Sequence, residues 1–309
     1  AFSMIDAAAS TGADAIEFQL LRAADFCVHQ DAKHDFYTTL EFSDSEIREL
    51  VQYARNKGLE FIAAALTDSL VEPLVVAGCG AFNINASDLT NPRLLDAVAD
   101  SGLPFFMSLL LATQEEIDWA VERVSGKKRG KFGLLHGQHT MFHRGQGVTL
   151  EETALGYIET LGRCYGRPVG FVDHTNLMWM PAAAVAAGAR IVTKHLALSR
   201  NDRGPDWEIC LEPDEMNQAI QWSKTMNRSM GATAKVLAAS ELQDRSVMRK
   251  SIVSAQAMNK GQRVGQKNLA FKRPGTGVPS IEYEKFSGRI LARSVPADSL
   301  LTLADFEPD

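Results

Sequence analysis

Cysteine is scarce in this sequence, and the cysteines present are not placed to work together. The four residues, Cys27, Cys79, Cys164 and Cys210, lie far apart and form no CxxC pair. Reduced, mostly buried thiols in a cytoplasmic protein are the expectation. Long apolar runs are missing as well. The longest, Leu103 to Ala112, is interrupted by Ser108 and is too short to span a bilayer. A secretory leader is not visible: the chain opens Ala1-Phe2-Ser3-Met4-Ile5-Asp6, with an early acid and no basic segment. No glycine-rich loop of the G-x-G-x-x-G or Walker type is present to support a nucleotide. Positive charge is also short, the formal net charge being −6. The segment from Arg249 to Asp309 holds ten Lys/Arg against six Asp/Glu, a balance of +4, so the preceding 248 residues carry −10. An acidic body argues against non-specific nucleic-acid binding. The basic tail is suited to anions, or to an acidic surface of its own chain or of a partner.

What is present is an ordinary globular composition, 45% apolar and 23% charged over 309 residues, long enough for two domains. Strand-like and helix-like segments alternate through the first 230 residues. Asp14 to Gln19 reads as a strand. Ser43-Asp44-Ser45-Glu46 reads as a capping box that opens a helix with Ile47, Leu50, Val51 and Ala54 on one face. Strands are expected at Leu59–Ala65, Phe82–Asn85, Phe105–Leu111, Phe132–His136, Val169–Val172 and Ala189–Thr193. Helices are expected after Asn91-Pro92, after Thr113 with Glu116, after Thr149 with Glu152, over Pro181–Ala187 and over Pro213–Met230.

Seven strands, each followed by a helix, suit either a doubly wound open sheet or a (β/α)8 TIM barrel. The regular spacing favours the barrel. The chain begins on a helix, Phe2 to Ser10, so the barrel's first strand would precede Ala1. Ala232 to Asp244 is polar and lacks periodicity. Beyond it, Ser251–Ala255, Leu269–Phe271 and Arg289–Ala292 read as short β segments between turn clusters, a small β-rich module. The expected layout is a barrel over 1–235, a linker over 236–248 and the β-rich domain over 249–309.

Active sites of such barrels collect at the C-terminal ends of the strands. Those ends read Gln19, Ala64, Asn83 to Asp88, Ser108, His136 to His139, Asp173-His174 and Lys194-His195. His174 and His195 close neighbouring strands. Two imidazoles with water ligands suit Mn²⁺, Zn²⁺ or Fe²⁺ in an open site, the bland alternative being histidines that cap or hydrogen-bond a loop. The Gly126-Lys127-Lys128-Arg129-Gly130 run reads as a solvated loop away from that face.

Gly170-Phe171-Val172-Asp173-His174-Thr175 is similar to the motif G-F-S-D-H-T, and Lys194-His195-Leu196-Ala197-Leu198 to K-H-F-T-L. Gly204-Pro205-Asp206 followed by Leu211-Glu212-Pro213 resembles G-P-D…L-E-P, and Lys272-Arg273-Pro274-Gly275-Thr276-Gly277 resembles K-R-P-G-x-G. The matches run in order through nearly the whole chain. Together they resemble the sialic acid synthase family, including legionaminic and pseudaminic acid synthases and the spore coat polysaccharide biosynthesis protein E branch.

That resemblance implies a TIM barrel followed by an antifreeze-like (SAF) domain. It also implies condensation of phosphoenolpyruvate with an N-acyl hexosamine to give a nonulosonic acid, in cell-surface or spore-coat polysaccharide biosynthesis. His174 and His195 would hold a divalent metal, Mn²⁺ first and Mg²⁺ or Co²⁺ as substitutes, with Asp173 and Lys194 beside them as catalytic residues. Gln19, Asp88, Ser108 and Asp206 would bind substrate. Arg273 would reach a partner subunit and grip the sugar, which implies a domain-swapped homodimer. Nucleic acid and membrane are not expected partners.

Departures from the family pattern gather on the phosphoenolpyruvate side. K-F-Q is Glu17-Phe18-Gln19 here, and K-I-x-S is Asn83-Ile84-Asn85-Ala86. S-T-G-M has become Ser108-Leu109-Leu110-Leu111, C-T-S-x-Y-P is Gly137-Gln138-His139-Thr140-Met141-Phe142, and the residue before Asp173 is Val172. A non-catalytic or re-purposed homologue with a degenerate phosphoenolpyruvate site is therefore the alternative reading.

Overall fold

The computed structural model describes residues 1–126, 131–139, 148–204 and 206–308. Lys127-Lys128-Arg129-Gly130, the loop residues Thr140, Met141 and Phe142, and Pro205 lie outside the described residues. The chain divides into two compact units, residues 1–231 and 232–309.

In the first unit seven parallel strands pair in chain order: β1 Ala15–Leu20, β2 Glu60–Ala65, β3 Ala81–Ile84, β4 Phe105–Ser108, β5 Phe132–Gly137, β6 Val169–Asp173 and β7 Val192–Lys194. Parallel neighbours cannot be joined by a tight turn, so each connection crosses over through a helix. Alternation along the strands sorts the two faces. Phe61, Phe82, Phe105, Leu134 and Phe171 share one buried cluster with the helix residues Ile47, Leu50, Leu95 and Val98, and the partly buried Phe18 packs against it. The alternate residues, among them Glu17, Gln19, Asn83, Ser108, Val172 and Thr193, therefore face the other side. The sheet curls around that side, because a side chain of β1 reaches one of β3 across β2. The architecture is a curled seven-stranded parallel sheet jacketed by helices. Its end strands are β1 and β7, and the complete eight-stranded closure expected from the spacing is not among the described strands.

Several expected start signals form as their chemistry dictates. Ser43 Oγ accepts from the Glu46 amide at 3.3 Å while Glu46 Oε2 accepts from the Ser43 amide at 2.7 Å, opening helix Asp44–Asn56. Thr113 and Glu116 do the same for helix Gln114–Ser125. Thr149 and Glu152 do not open the next long helix. They close a 3-10 turn over Glu151–Thr153, Ala154 then takes φ +43°, and the helix begins only at Tyr157. The last strand also starts later than expected, at Val192 rather than Ala189.

The second unit holds an antiparallel pair, β8 Ser251–Ser254 and β9 Leu269–Lys272, around a core that includes Ile252, Val264, Leu291 and Leu301. The strand expected at Arg289–Ala292 contributes single bridges, Ile290 to Arg263 and Leu291 to Phe306. The aperiodic stretch after Ala232 is not all linker: Ala239–Met248 is a helix with no buried residue.

Candidate functional site

The ladder pairs Asp173 with Lys194, so the next residues, His174 and His195, leave adjacent strands side by side. Their ring centroids are 5.0 Å apart, and His139, just after β5, lies 5.2 Å from His174. His174 is buried and its Nδ1 has no hydrogen-bond partner; Thr193 Oγ1 on β7 is in the same condition. Burial pushes His174 down to about 3, helped by repulsion from His195, His139 and Lys194. Burial also lowers His195, against the attraction of Asp206. Both rings are thus neutral near pH 7, the form that ligates metals. Two neutral imidazoles, one with an orphaned buried nitrogen, fit a divalent ion. No group of three or more ligating side chains is gathered among the described residues, so the remaining coordination positions would fall to water or substrate.

Asp173 and Lys194 are placed differently from the histidines that follow them in sequence. By alternation they share the face of Phe171 and Val192, toward the helices. There Lys194 Nζ lies 3.1 Å from Asp173 Oδ2, with side-chain exposures of 3% and 0%. Asp173 Oδ1 accepts from the Thr175 amide at 2.8 Å, and Lys194 Nζ donates to the Thr175 carbonyl. The pair thus pins the turn that carries His174. Val172 and Gly170 line that face instead. A Cβ at Gly170 would come within 2.7 Å of the Ile191 carbonyl oxygen, so only glycine fits there.

Across the sheet, a hydrogen-bonded chain joins three strands. Ser108 Oγ on β4 donates to Asn83 Oδ1 at 3.1 Å, and Asn83 Nδ2 on β3 donates to Glu17 Oε1 on β1 at 2.9 Å. Desolvation raises Glu17 above the usual carboxylate range, with Asn83 opposing the shift. Gln19 lies two residues along β1 on the same face and is exposed. Asp88 is buried in a turn, where it accepts from Ser87 Oγ at 2.8 Å and from Asn91 Nδ2 at 3.0 Å. Asp206 is held at φ +56° and its charge acts on His195. Arg273 belongs to the second unit, where its Nε donates to the Met248 carbonyl at 3.1 Å.

One strand-end histidine is not a site residue. His136 has the parity of Phe132 and Leu134, so it points into the helix layer. Its Nε2 contacts the Thr153 and Ala154 carbonyls at 3.0 and 3.1 Å, and its ring meets Tyr157 edge-on. Counting strand parity from Leu134 was the signal available in the sequence. The converse miss is the Glu17–Asn83–Ser108 chain. Glu17 and Asn83 appear in sequence as separate replacements and Ser108 as a retained serine, and only the curl of the sheet joins them.

The NeuB family model matches residues 4–235 and the SAF domain model residues 249–307. An uncharacterised protein of Methanocaldococcus jannaschii is 31% identical over 96% of this chain and 85% of its own length. The N,N'-diacetyllegionaminic acid synthase of Campylobacter jejuni is 29% identical over 96% and 92%. Among solved structures, N-acetylneuraminic acid synthetase from Leptospira borgpetersenii aligns with a TM-score of 0.73 and 30% identity, covering 79% of this chain and 83% of that one.

Proposed function

This chain belongs to the NeuB family and carries a SAF domain after it, and from that premise we propose that it condenses phosphoenolpyruvate with an N-acyl hexosamine to a nonulosonic acid for polysaccharide biosynthesis. The observation that carries the reading is the His174–His195 pair, two neutral rings 5.0 Å apart at the ends of adjacent strands on the concave face. In the reaction the C3 carbon of phosphoenolpyruvate bonds to the aldehyde carbon of the open-chain sugar. Water adds at C2, and phosphate leaves with the bond between C2 and the phosphate-bearing oxygen broken.

His174 and His195 would hold a divalent ion such as Mn²⁺, which when bound supplies Lewis-acid polarisation of the sugar aldehyde. The Asp173–Lys194 pair orients His174 through Thr175. Asp206 lies close enough to act electrostatically on His195 and supplies an acceptor for sugar hydroxyls. Ser108 and Asn83 line the opposite strands. In a closed (β/α)8 barrel an eighth strand would stand between β1 and β7 and complete the wall.

The test is direct. The protein, loaded with Mn²⁺, is incubated with phosphoenolpyruvate and a panel of N-acyl hexosamines, and products are read by mass spectrometry alongside phosphate release. A nine-carbon 2-keto acid formed with stoichiometric phosphate supports the proposal. Absence of product with every sugar, from protein that retains Mn²⁺, would overturn it. His174→Ala should abolish Mn²⁺ retention by equilibrium dialysis, a readout separate from turnover.

A further inference from the structure

Glu17 is an acid on the concave face of the sheet with no ion-pair partner among the described residues. Ile16, Phe18 and Leu20 of β1 pack outward with the helices, which leaves Glu17 turned inward, half-buried, toward the side where substrates would lie. The groups around it are neutral: Ile62 stands opposite on β2, Asn83 reaches it from β3, and Ser108 on β4 backs Asn83. No ion pair to Glu17 is found among the described residues, and burial and the Asn83 amide are what shift it. Ser108 donates to Asn83, and Asn83 donates to Glu17 Oε1, so the hydrogen bonds of this wall all run toward the carboxyl. Its second oxygen has no partner in that chain.

An anion docking beside a carboxylate in such a setting meets repulsion that no ion pair of Glu17 among the described residues offsets. The same group, once protonated, presents an O–H that donates to the anion. We propose that Glu17, held by Asn83 and Ser108, is a specificity-determining residue of the donor subsite that takes the anionic donor together with one proton. This rests on the reading of the chain as a phosphoenolpyruvate-dependent synthase. Donor binding is then coupled to proton uptake at Glu17, which removes the repulsion and adds one hydrogen-bond donor.

The test is calorimetric titration of phosphoenolpyruvate into the Mn²⁺-loaded full chain between about pH 6 and about pH 8.5, in buffers of different ionisation heat. In the parent, affinity should fall with rising pH by up to about tenfold per unit more than in Glu17→Gln, with correspondingly greater proton uptake. Glu17→Gln keeps a neutral donor of similar size and should flatten that extra dependence. Asn83→Ala leaves the acid but removes the donor that favours its ionised form, so it should move the midpoint of the pH profile upward. This variant keeps the question open to test should Glu17→Gln fold poorly. Matching pH profiles in parent and Glu17→Gln, or an unmoved midpoint in Asn83→Ala, overturn the inference and leave the synthase reading standing. Absence of phosphoenolpyruvate binding at every pH in all three proteins instead overturns the donor assignment, and this proposal with it.

Discussion

Lys194→Met isolates what the buried ion pair contributes. In the parent, Lys194 and Asp173 are 3% and 0% exposed, with Nζ and Oδ2 3.1 Å apart. Removing the ammonium leaves Asp173 with the Thr175 amide as its remaining polar contact on Oδ1 and an uncompensated buried charge. Breaking one side of such a pair costs about 3–5 kcal/mol. Methionine is close to lysine in length and flexible enough to fill the same space, so the cavity contribution is small. The double variant Asp173→Asn with Lys194→Met carries no charge, while the side-chain amide oxygen introduced at position 173 can still accept from the Thr175 amide. It should lie within about 1.5 kcal/mol of the parent, since a neutral, well-packed replacement of a buried pair is often close to neutral in stability. Urea unfolding followed by tryptophan fluorescence reads this directly, because all four tryptophans, Trp119, Trp179, Trp207 and Trp222, lie in the first unit. For a unit of this size the single variant should lose roughly 6–20 °C in Tm. A loss below about 1 kcal/mol, or a double variant no more stable than the single, would refute the positioning role. Parent-like stability with turnover abolished would make Lys194 a chemical participant instead.

Other consequences can be checked with simpler measurements. His136 is lowered by burial and bonded to two carbonyls. A histidine depressed in the folded state contributes stability that is present above its unfolded value near 6.5 and lost as pH falls below it. The urea midpoint should therefore drop between about pH 6.5 and about pH 5 by more in the parent than in His136→Asn; equal slopes would show that His136 carries none of the dependence. Burial pushes the Cys79 and Cys210 thiols up to about 12 and about 11, whereas Cys164 is exposed. A maleimide should label Cys164 in the native protein, and Cys79 and Cys210 only after denaturant is added; prompt labelling of Cys79 would contradict the packing described. Phe171 is 1% exposed in the helix-facing cluster, so Phe171→Ala should destabilise the first unit by about 3–5 kcal/mol in the same fluorescence assay.

The repeat of strand and helix in the first 230 residues was legible because apolar spacing and capping chemistry are local. Ser43 with Glu46 and Thr113 with Glu116 form the caps their side chains allow. Thr149 with Glu152 shows the limit: the same local bonds form, but the chain turns at Ala154 and the helix starts later. The helix Ala239–Met248 escaped notice because it buries nothing, so its sequence carries no apolar stripe. His174 and His195 stood out as histidines closing consecutive strands, and register then made them neighbours. What sequence proximity cannot say is which way a side chain faces. Asp173 and Lys194 adjoin the histidines in the chain, yet strand alternation turns them to the opposite side. Glu17, Asn83 and Ser108 are separated by 66 and 25 positions, and they meet only because the sheet curls. Local chemistry along the chain set which residues were available to the site and the order of the strands. Parity and curvature, properties of the assembled sheet, decided which of those residues share a surface.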